Sequence, residues 1–303
     1  MTYAASRAAT VRDLAGPQAG IVRVDQLSLY GVTQGMLRSN LRAGRWRRLS
    51  RKVIALHNGP LSAAQAEWFA VLDGGDGCVL AGLSALHAEG LQGFPVARLQ
   101  LAVPPGGEPR RHELYVRRRS RRLSPAAVHP SRLPPVMRRE VALLDALEHI
   151  ATPLRGCALL SAVVQQRLWA AGTLSPLLTA ERTLPHRRLY VAVAEDIAGG
   201  SQSLLEIDFV KLAREAGIRP PFRQAVRVDR AGRRRYLDAD FDTFAVEVDG
   251  AVHLKPMTWW DDMFRQNSIV LSGKPVLRFP SVGLRLYPDV VVGQLREAHA
   301  RWR

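Results

Sequence analysis

The chain has 303 residues, 47% of them hydrophobic, with 43 Lys and Arg against 27 Asp and Glu and a formal net charge of +16. That length supports two or three domains with cores of their own, and no run of eighteen apolar residues is present to span a membrane. The two cysteines, Cys78 and Cys157, stand far apart and outside any metal-like Cys or His spacing, which fits a cytoplasmic protein held together by packing.

The charge is uneven: residues 1–200 carry a net +12 and residues 201–303 a net +4. A field of that sign attracts nucleic acid or an acidic membrane surface. Only four of the 43 basic residues are lysine, so an arginine-rich composition accounts for part of the excess. The motifs below turn the expectation towards DNA and away from a membrane.

Residues 1–20 include Arg7, Arg12 and Asp13 and lack the apolar centre of a signal peptide. Val24–Leu29 is short and apolar-periodic, and Gly31 breaks it. Thr33 is an N-cap for a second helix, marked by Met36, Leu37 and Leu41 and ended at Gly44. Two short helices about a glycine-containing turn make the helix-turn-helix pattern. The run from Arg45 to Leu56 starts basic, with Trp46 inside it, and ends apolar. It reads as the wing of a winged helix, with charge where a wing meets a phosphate backbone. The plainer alternative is a solvated basic hairpin with Trp46 packed on the core. The stretch from Gly31 through Arg48 resembles the N-terminal winged helix of the abortive-infection (AbiEi-type) antitoxin family, whose members are transcriptional regulators. The resemblance covers about the first fifth of the chain. It implies that Arg38, Arg42, Arg45, Arg47 and Arg48 face DNA, and it names no base-reading residue.

Residues 61–200 form an α+β middle region without an assigned role. Ala64–Leu72 and Gly82–Glu89 predict helices; Leu99–Val103 and Glu113–Arg117 predict strands, with Pro104–Gly107 as the turn between them. Arg117–Arg122 holds five arginines in six positions, either a solvated face or an arm for phosphate. Helices are expected at about 139–150 and 157–171. His87, His112, His129, His149 and His186 show no spacing for a shared metal.

In residues 201–303 a helix opens at Ser203 and closes at Gly217. Strands follow at Val226–Asp229, Arg235–Phe241 and Phe244–Val248. A helix at Trp259–Ser272, a strand at Pro275–Phe279 and a last helix opened by Pro288 complete the unit. Between Asp238 and Asp249 lie five carboxylates and no Lys or Arg. Strand alternation puts Glu247 and Asp249 on one face, about 7 Å apart, and Asp238 and Asp240 on one face of the preceding strand. A tight turn at Asp242 and Thr243 brings the two strands together. Converging carboxylates repel unless some protonate or a divalent cation binds, and hard oxygen ligands suit Mg²⁺ or Mn²⁺. The alternative puts Asp240 and Asp242 on a solvated turn. Glu206 has two readings of equal weight, a site residue or the partner of Ser203 in a capping box. His253 is either an acid-base group or a loop histidine.

Glu206, Asp238, the run Glu247–His253, Asp262 and Arg265–Asn267 together resemble the PD-(D/E)XK nuclease superfamily, in its branch related to the very-short-patch-repair endonuclease. The resemblance covers about the last third of the chain. It implies a restriction-endonuclease-like sheet flanked by helices and Mg²⁺-dependent cleavage of DNA in the cytoplasm. It makes Asp238 and Glu247 the metal ligands, has Glu206 assist, and gives His253 and Asp249 places in the catalytic group. Arg265 would contact phosphate. The chain departs at one point: where the superfamily has Glu-x-Lys, Asp249 replaces the lysine. Lys255, Arg265 or Gln266 are the residues nearby that could take over its role.

The expectation is therefore a mixed α/β chain with a winged helix-turn-helix at 1–60, the middle region at 61–200 and a nuclease-like domain at 201–303. Its function is DNA binding joined to metal-dependent phosphodiester hydrolysis. The alternative is a non-catalytic DNA-binding regulator or antitoxin with a degenerate nuclease domain, with a homodimer and a toxin as further partners.

Overall fold

The computed structural model describes residues 13, 15–104, 106–199, 211–218, 222–228, 234–241, 243–249 and 275–302. The fold is mixed α/β, and contacts divide the chain into two units, Met1–His149 and Ile150–Arg303. The division falls inside the stretch 61–200 and so distributes the middle region between both units.

The first unit begins with β1 (Ile21–Arg23), α1 (Val24–Leu29), α2 (Gln34–Arg42), β2 (Arg47–Arg48) and β3 (Val53–Ala55). Thr33 has extended backbone and its hydroxyl accepts from Met36 N at 3.3 Å, which starts α2. Gly44, at φ +63°, turns the chain after α2 into the left-handed region that a side chain resists. β3 lies between β1 and β2, antiparallel to both. Ala15, Val22, Leu27, Val32, Leu37 and Ile54 form the core of this module, and Trp46 packs against it. This order, two helices and then a hairpin, is the one the sequence predicts.

The same unit continues with α3 (Ala63–Gly74), β4 (Val79–Leu80), α4 (Gly82–Ala88), β5 (Leu99–Val103), β6 (Arg110–Arg111), β7 (Tyr115–Arg119) and α5 (Arg139–His149). Ser62 and Gln65 close a reciprocal capping box at the start of α3. The sheet order is β4-β5-β7-β6. Here the structure departs from the expected turn at 104–107. β5 runs parallel to β7, Leu99 opposite Tyr115, and a parallel pair cannot be joined by a tight turn. The intervening chain instead supplies β6, which pairs antiparallel with β7 at the edge, Arg111 opposite Val116.

The second unit opens with α6 (Pro153–Gln165), α7 (Ala171–Ala180) and α8 (Arg187–Gly199). α6 starts earlier than its apolar run suggests, because Thr152 caps it by accepting from Arg155 N at 3.2 Å and Pro153 fits the first turn. Residues 211–215 are helical and Gly217, at φ +75°, follows them. β8 (Phe222–Val228), β9 (Arg234–Asp240) and β10 (Ala245–Asp249) form an antiparallel meander, and β11 (Val276–Pro280) joins β10 in parallel. α9 (Ser281–Leu286) and α10 (Pro288–Arg301) end the chain. Ala239, Phe244, Val246, Phe279, Leu284, Val291 and Leu295 pack in one core. Phe241 and Phe244 stack with ring centres 4.4 Å apart and close the β9–β10 turn. Arg285 donates to Asp196 Oδ2 at 2.6 Å, a largely buried ion pair joining α9 to α8. Among the described residues no helix is long and apolar enough to cross a membrane.

Candidate functional site

Two groups of sequence-predicted residues fall on described elements, and they differ in kind. The first is the basic face of α2 and the hairpin. Arg38 and Arg42 stand on α2, opposite its buried Leu37, and both are exposed. Arg45 is exposed just past the helix, with its Nε donating to Asn40 Oδ1 at 2.8 Å. Arg48, on β2, is exposed and donates to Arg51 O at 3.1 Å. Arg47 is half-buried with its Nε enclosed, so it is the least available of the five. Arg51 and Lys52, at the hairpin turn, are exposed as well. Among the described residues none of these cations has an acidic partner within ion-pair distance. Gly35 lies on the exposed side of α2, where an added Cβ would meet only Thr33 Oγ1 at 3.8 Å. No neighbour in the fold requires a glycine there.

The arginine run at 117–122 behaves otherwise. Arg117 donates to Glu108 O at 2.6 Å and also to Gly74 O. Arg118 lies 3.5 Å from Asp145 Oδ2, a carboxylate only 2% exposed, whose Oδ1 accepts from Ser120 at 2.9 Å. Arg119 pairs with Glu108 at 3.0 Å, and Arg121 and Arg122 both pair with Glu148 at 3.0 Å. These side chains hold the unit together rather than extending from it as an arm.

The second group is the carboxylates. Asp238 belongs to β9, and Glu247 and Asp249 belong to β10. Asp240 is a strand residue, opposite Ala245 on one side and Phe222 on the other, and so is not part of a turn. Val246 pairs with Ala239, both buried in the core, and Glu247 and Asp238 are the next residues along their strands. On its other side β10 puts Glu247 in register with Arg278 of β11. Sequence reading passed over Arg278 because it sits in a predicted apolar strand; its charge inside that strand was the signal to weigh. Glu206, Asp242, His253, Lys255, Asp262, Arg265 and Gln266 lie outside the described residues.

Three histidines of the middle region make local contacts. His112 stacks on Tyr115 at 4.9 Å, His129 Nδ1 accepts from Ser131 N and Arg132 N, and His149 Nδ1 donates to Asp145 O at 2.9 Å. Burial pushes the Cys78 and Cys157 thiols up to about 11, which keeps both protonated and unreactive at neutral pH.

No family model matches the chain, and no curated protein matches it. Among solved structures, the crystal structure of the RV2827C protein from Mycobacterium tuberculosis is similar over 66% of this chain and 80% of that one, at 20% identity and a TM-score of 0.39. A likeness of that degree carries no argument about function.

Proposed function

We propose that this chain binds DNA through the α2 and β2–β3 surface and carries, in its second unit, a nuclease-like sheet that hydrolyses DNA phosphodiesters with Mg²⁺ or Mn²⁺. The observation that carries the reading is the set of exposed arginines at 38, 42, 45 and 48, with Arg51 and Lys52 beside them, none ion-paired among the described residues. Cations left on a surface without acidic partners are available to displace counterions from phosphate. The nine-residue α2 followed by a short hairpin has the order of a helix-turn-helix module, in which a helix enters the major groove.

The metal part of the proposal rests on register. β9 and β10 are antiparallel neighbours, so the carboxylates at 238 and 247 follow directly on the Val246–Ala239 pair. Two hard oxygen donors on adjacent strands fit a Mg²⁺-type ion. Asp238 and Glu247 would hold it, with Glu206 assisting, and the bound ion would activate water and offset charge on the phosphate. The chain's own basic groups, Arg265 among them, would orient the DNA backbone, and His253 would move the proton. This reading keeps the resemblance to the very-short-patch-repair branch as its model and the cytoplasm as its setting.

Asp249 favours a second reading. A carboxylate where the resemblance calls for lysine supplies no positive charge beside the water. On that reading the protein is a DNA-binding regulator or antitoxin, its nuclease-like sheet serving as a homodimer or DNA-clamping surface and a toxin its partner. The deciding test is cleavage of plasmid and linear DNA with Mg²⁺ or Mn²⁺, using the native chain, Asp238→Ala and Glu247→Ala. Cutting abolished by both substitutions supports the enzyme. Salt-sensitive DNA binding without metal-dependent cutting supports the regulator.

A further inference from the structure

The sheet of the second unit has two faces, told apart by its register. Ala239, Val246 and Phe279 are buried in the core. The alternate positions take the other face. Asp240 is opposite Ala245, so Asp238 and Asp240 of β9 share that face with Ala245, Glu247 and Asp249 of β10. β11 adds Val276, Arg278 and Pro280, in register with Ala245, Glu247 and Asp249. Asp238, Glu247 and Arg278 thus stand in one row across three strands, with about 5 Å between neighbouring strands. Asp240 and Asp249 flank the row on the same face.

The arginine is the informative member of that row. Arg223, Arg227 and Arg235 follow the alternation of buried Ala239, since Arg223 is opposite Ala239 and Arg227 opposite Arg235. Arg234 shares the face of Asp238 but stands four positions away along β9, about 13 Å. Among the described strand residues, Arg278 is the cation in register with an acid of the row. It is half-buried and flanked along β11 by Leu277 and Phe279, which pack in the core. A cation is costly to enclose at such a place unless an anion answers it. Glu247 alone could answer it as a cross-strand pair. The face has a further shortage, however. Its carboxylates repel an approaching phosphodiester, and a guanidinium fork is the group that holds phosphate oxygens two at a time.

We infer that Arg278 is the phosphate-binding residue of this face, holding a phosphodiester of DNA from the strand beside Glu247 and supplying the positive charge that Asp249 does not. This rests on the nuclease reading above, and it gives the role to a residue built into the sheet rather than to Lys255, Arg265 or Gln266. A strand residue is held by its ladder before DNA arrives, so less ordering is left to the moment of binding.

The test compares the full-length native chain with Arg278→Met, Arg278→Lys and Asp238→Ala. The readouts are steady-state cleavage of a short duplex with Mn²⁺, Mn²⁺ binding by electron paramagnetic resonance, and melting temperature. Arg278→Met is expected to lower kcat/KM about a hundredfold, the typical loss when one donor to a developing charge is removed, and to leave Mn²⁺ affinity at or above native. Arg278→Lys keeps the charge and loses the fork, so its kcat/KM should fall between those of Arg278→Met and the native chain at a native melting temperature. It carries the decision if Arg278→Met melts below the assay temperature. Asp238→Ala should lose Mn²⁺ binding, which separates the residues that hold the ion from the one that holds phosphate. Native kcat/KM per folded molecule in Arg278→Met or in Arg278→Lys overturns the proposal, because the arginine then does no more than pair with Glu247. Loss of Mn²⁺ binding in Arg278→Met overturns it as well, because the arginine then shapes the ion's site. In each of these cases native cutting leaves the nuclease reading standing. A native chain that does not cut overturns that reading and the proposal together.

Discussion

Two arginine-rich segments lie in the same unit and have opposite fates. The segment at 38–51 leaves its cations, the half-buried Arg47 excepted, on the surface, and none has an acidic partner among the described residues. The segment at 117–122, denser in the sequence, is engaged by Glu108, Asp145, Glu148 and backbone carbonyls. Charge density along a chain therefore does not tell which cations stay unpaired on the surface; the supply of acids across the fold does. The acids that neutralise the second segment come from β-strand loops and from α5, up to about 30 residues away, while the first segment lies on a module with few carboxylates.

The contrast can be broken in several ways. The largest effect is expected from Arg118→Ala, which removes the cation beside a nearly buried Asp145; leaving such a charge uncompensated costs about 3–5 kcal/mol, read as a fall in chemical-denaturation midpoint with little change in DNA affinity once folded. Next comes the triple variant Arg38→Ala/Arg42→Ala/Arg45→Ala. It should weaken duplex binding by about a hundredfold at 0.15 M salt and lower the salt slope by about 2 to 3, with stability near native. Equal DNA losses from Arg119→Ala and Arg121→Ala would erase the distinction between the segments.

A smaller effect concerns pH. Burial alone would raise the Asp73 carboxyl, but the Ser50 and Tyr115 hydroxyls and the nearby Arg110 and His112 outweigh it and hold the group below its ordinary value. A carboxylate depressed in the folded state adds stability above its unfolded pKa of about 3.9 and loses it as pH falls through the lower folded value. Denaturation midpoints measured from pH 5 down to pH 2 should therefore drop more steeply for the native chain than for Asp73→Asn. The smallest effect is expected at Gly35. Gly35→Ala has open space for its methyl and should raise stability by about 0.5 kcal/mol, yet weaken DNA binding if that face of α2 approaches the duplex closely. Unchanged binding would place the contact on the arginine side of the helix alone.

The local signals in the sequence served well where the determinant is local. Thr33, Gly44, Gly217 and Pro288 bound elements where their backbone chemistry requires, and the meander with its fourth strand follows the predicted order. What escaped was non-local. The parallel pairing of β5 with β7, the division of the middle region at 149/150 and the acids opposite Arg118 and Arg122 depend on which segments meet in space. The candidate site divides in the same way. The exposed positions of Arg38, Arg42 and Arg48 were legible from helix and hairpin patterning, whereas Arg278 became a neighbour of Glu247 only through the β10–β11 register.

The ion pair between Asp196 and Arg285 bears on how the chain can be cut. Dissecting the protein at residue 200, as the sequence pattern invites, would part the two: Arg285 would keep its sheltered place in α9 and lose the carboxylate of α8. A fragment beginning at 201 is therefore expected to aggregate or melt without cooperativity, and a fragment beginning at Ile150 to unfold in a single transition. Replacing Arg285 with methionine should partly rescue the shorter piece, since an apolar side chain of similar length needs no counter-ion. The three helices that looked like the tail of a middle region belong to the same unit as the C-terminal sheet and are joined to α9, through α8, by this pair.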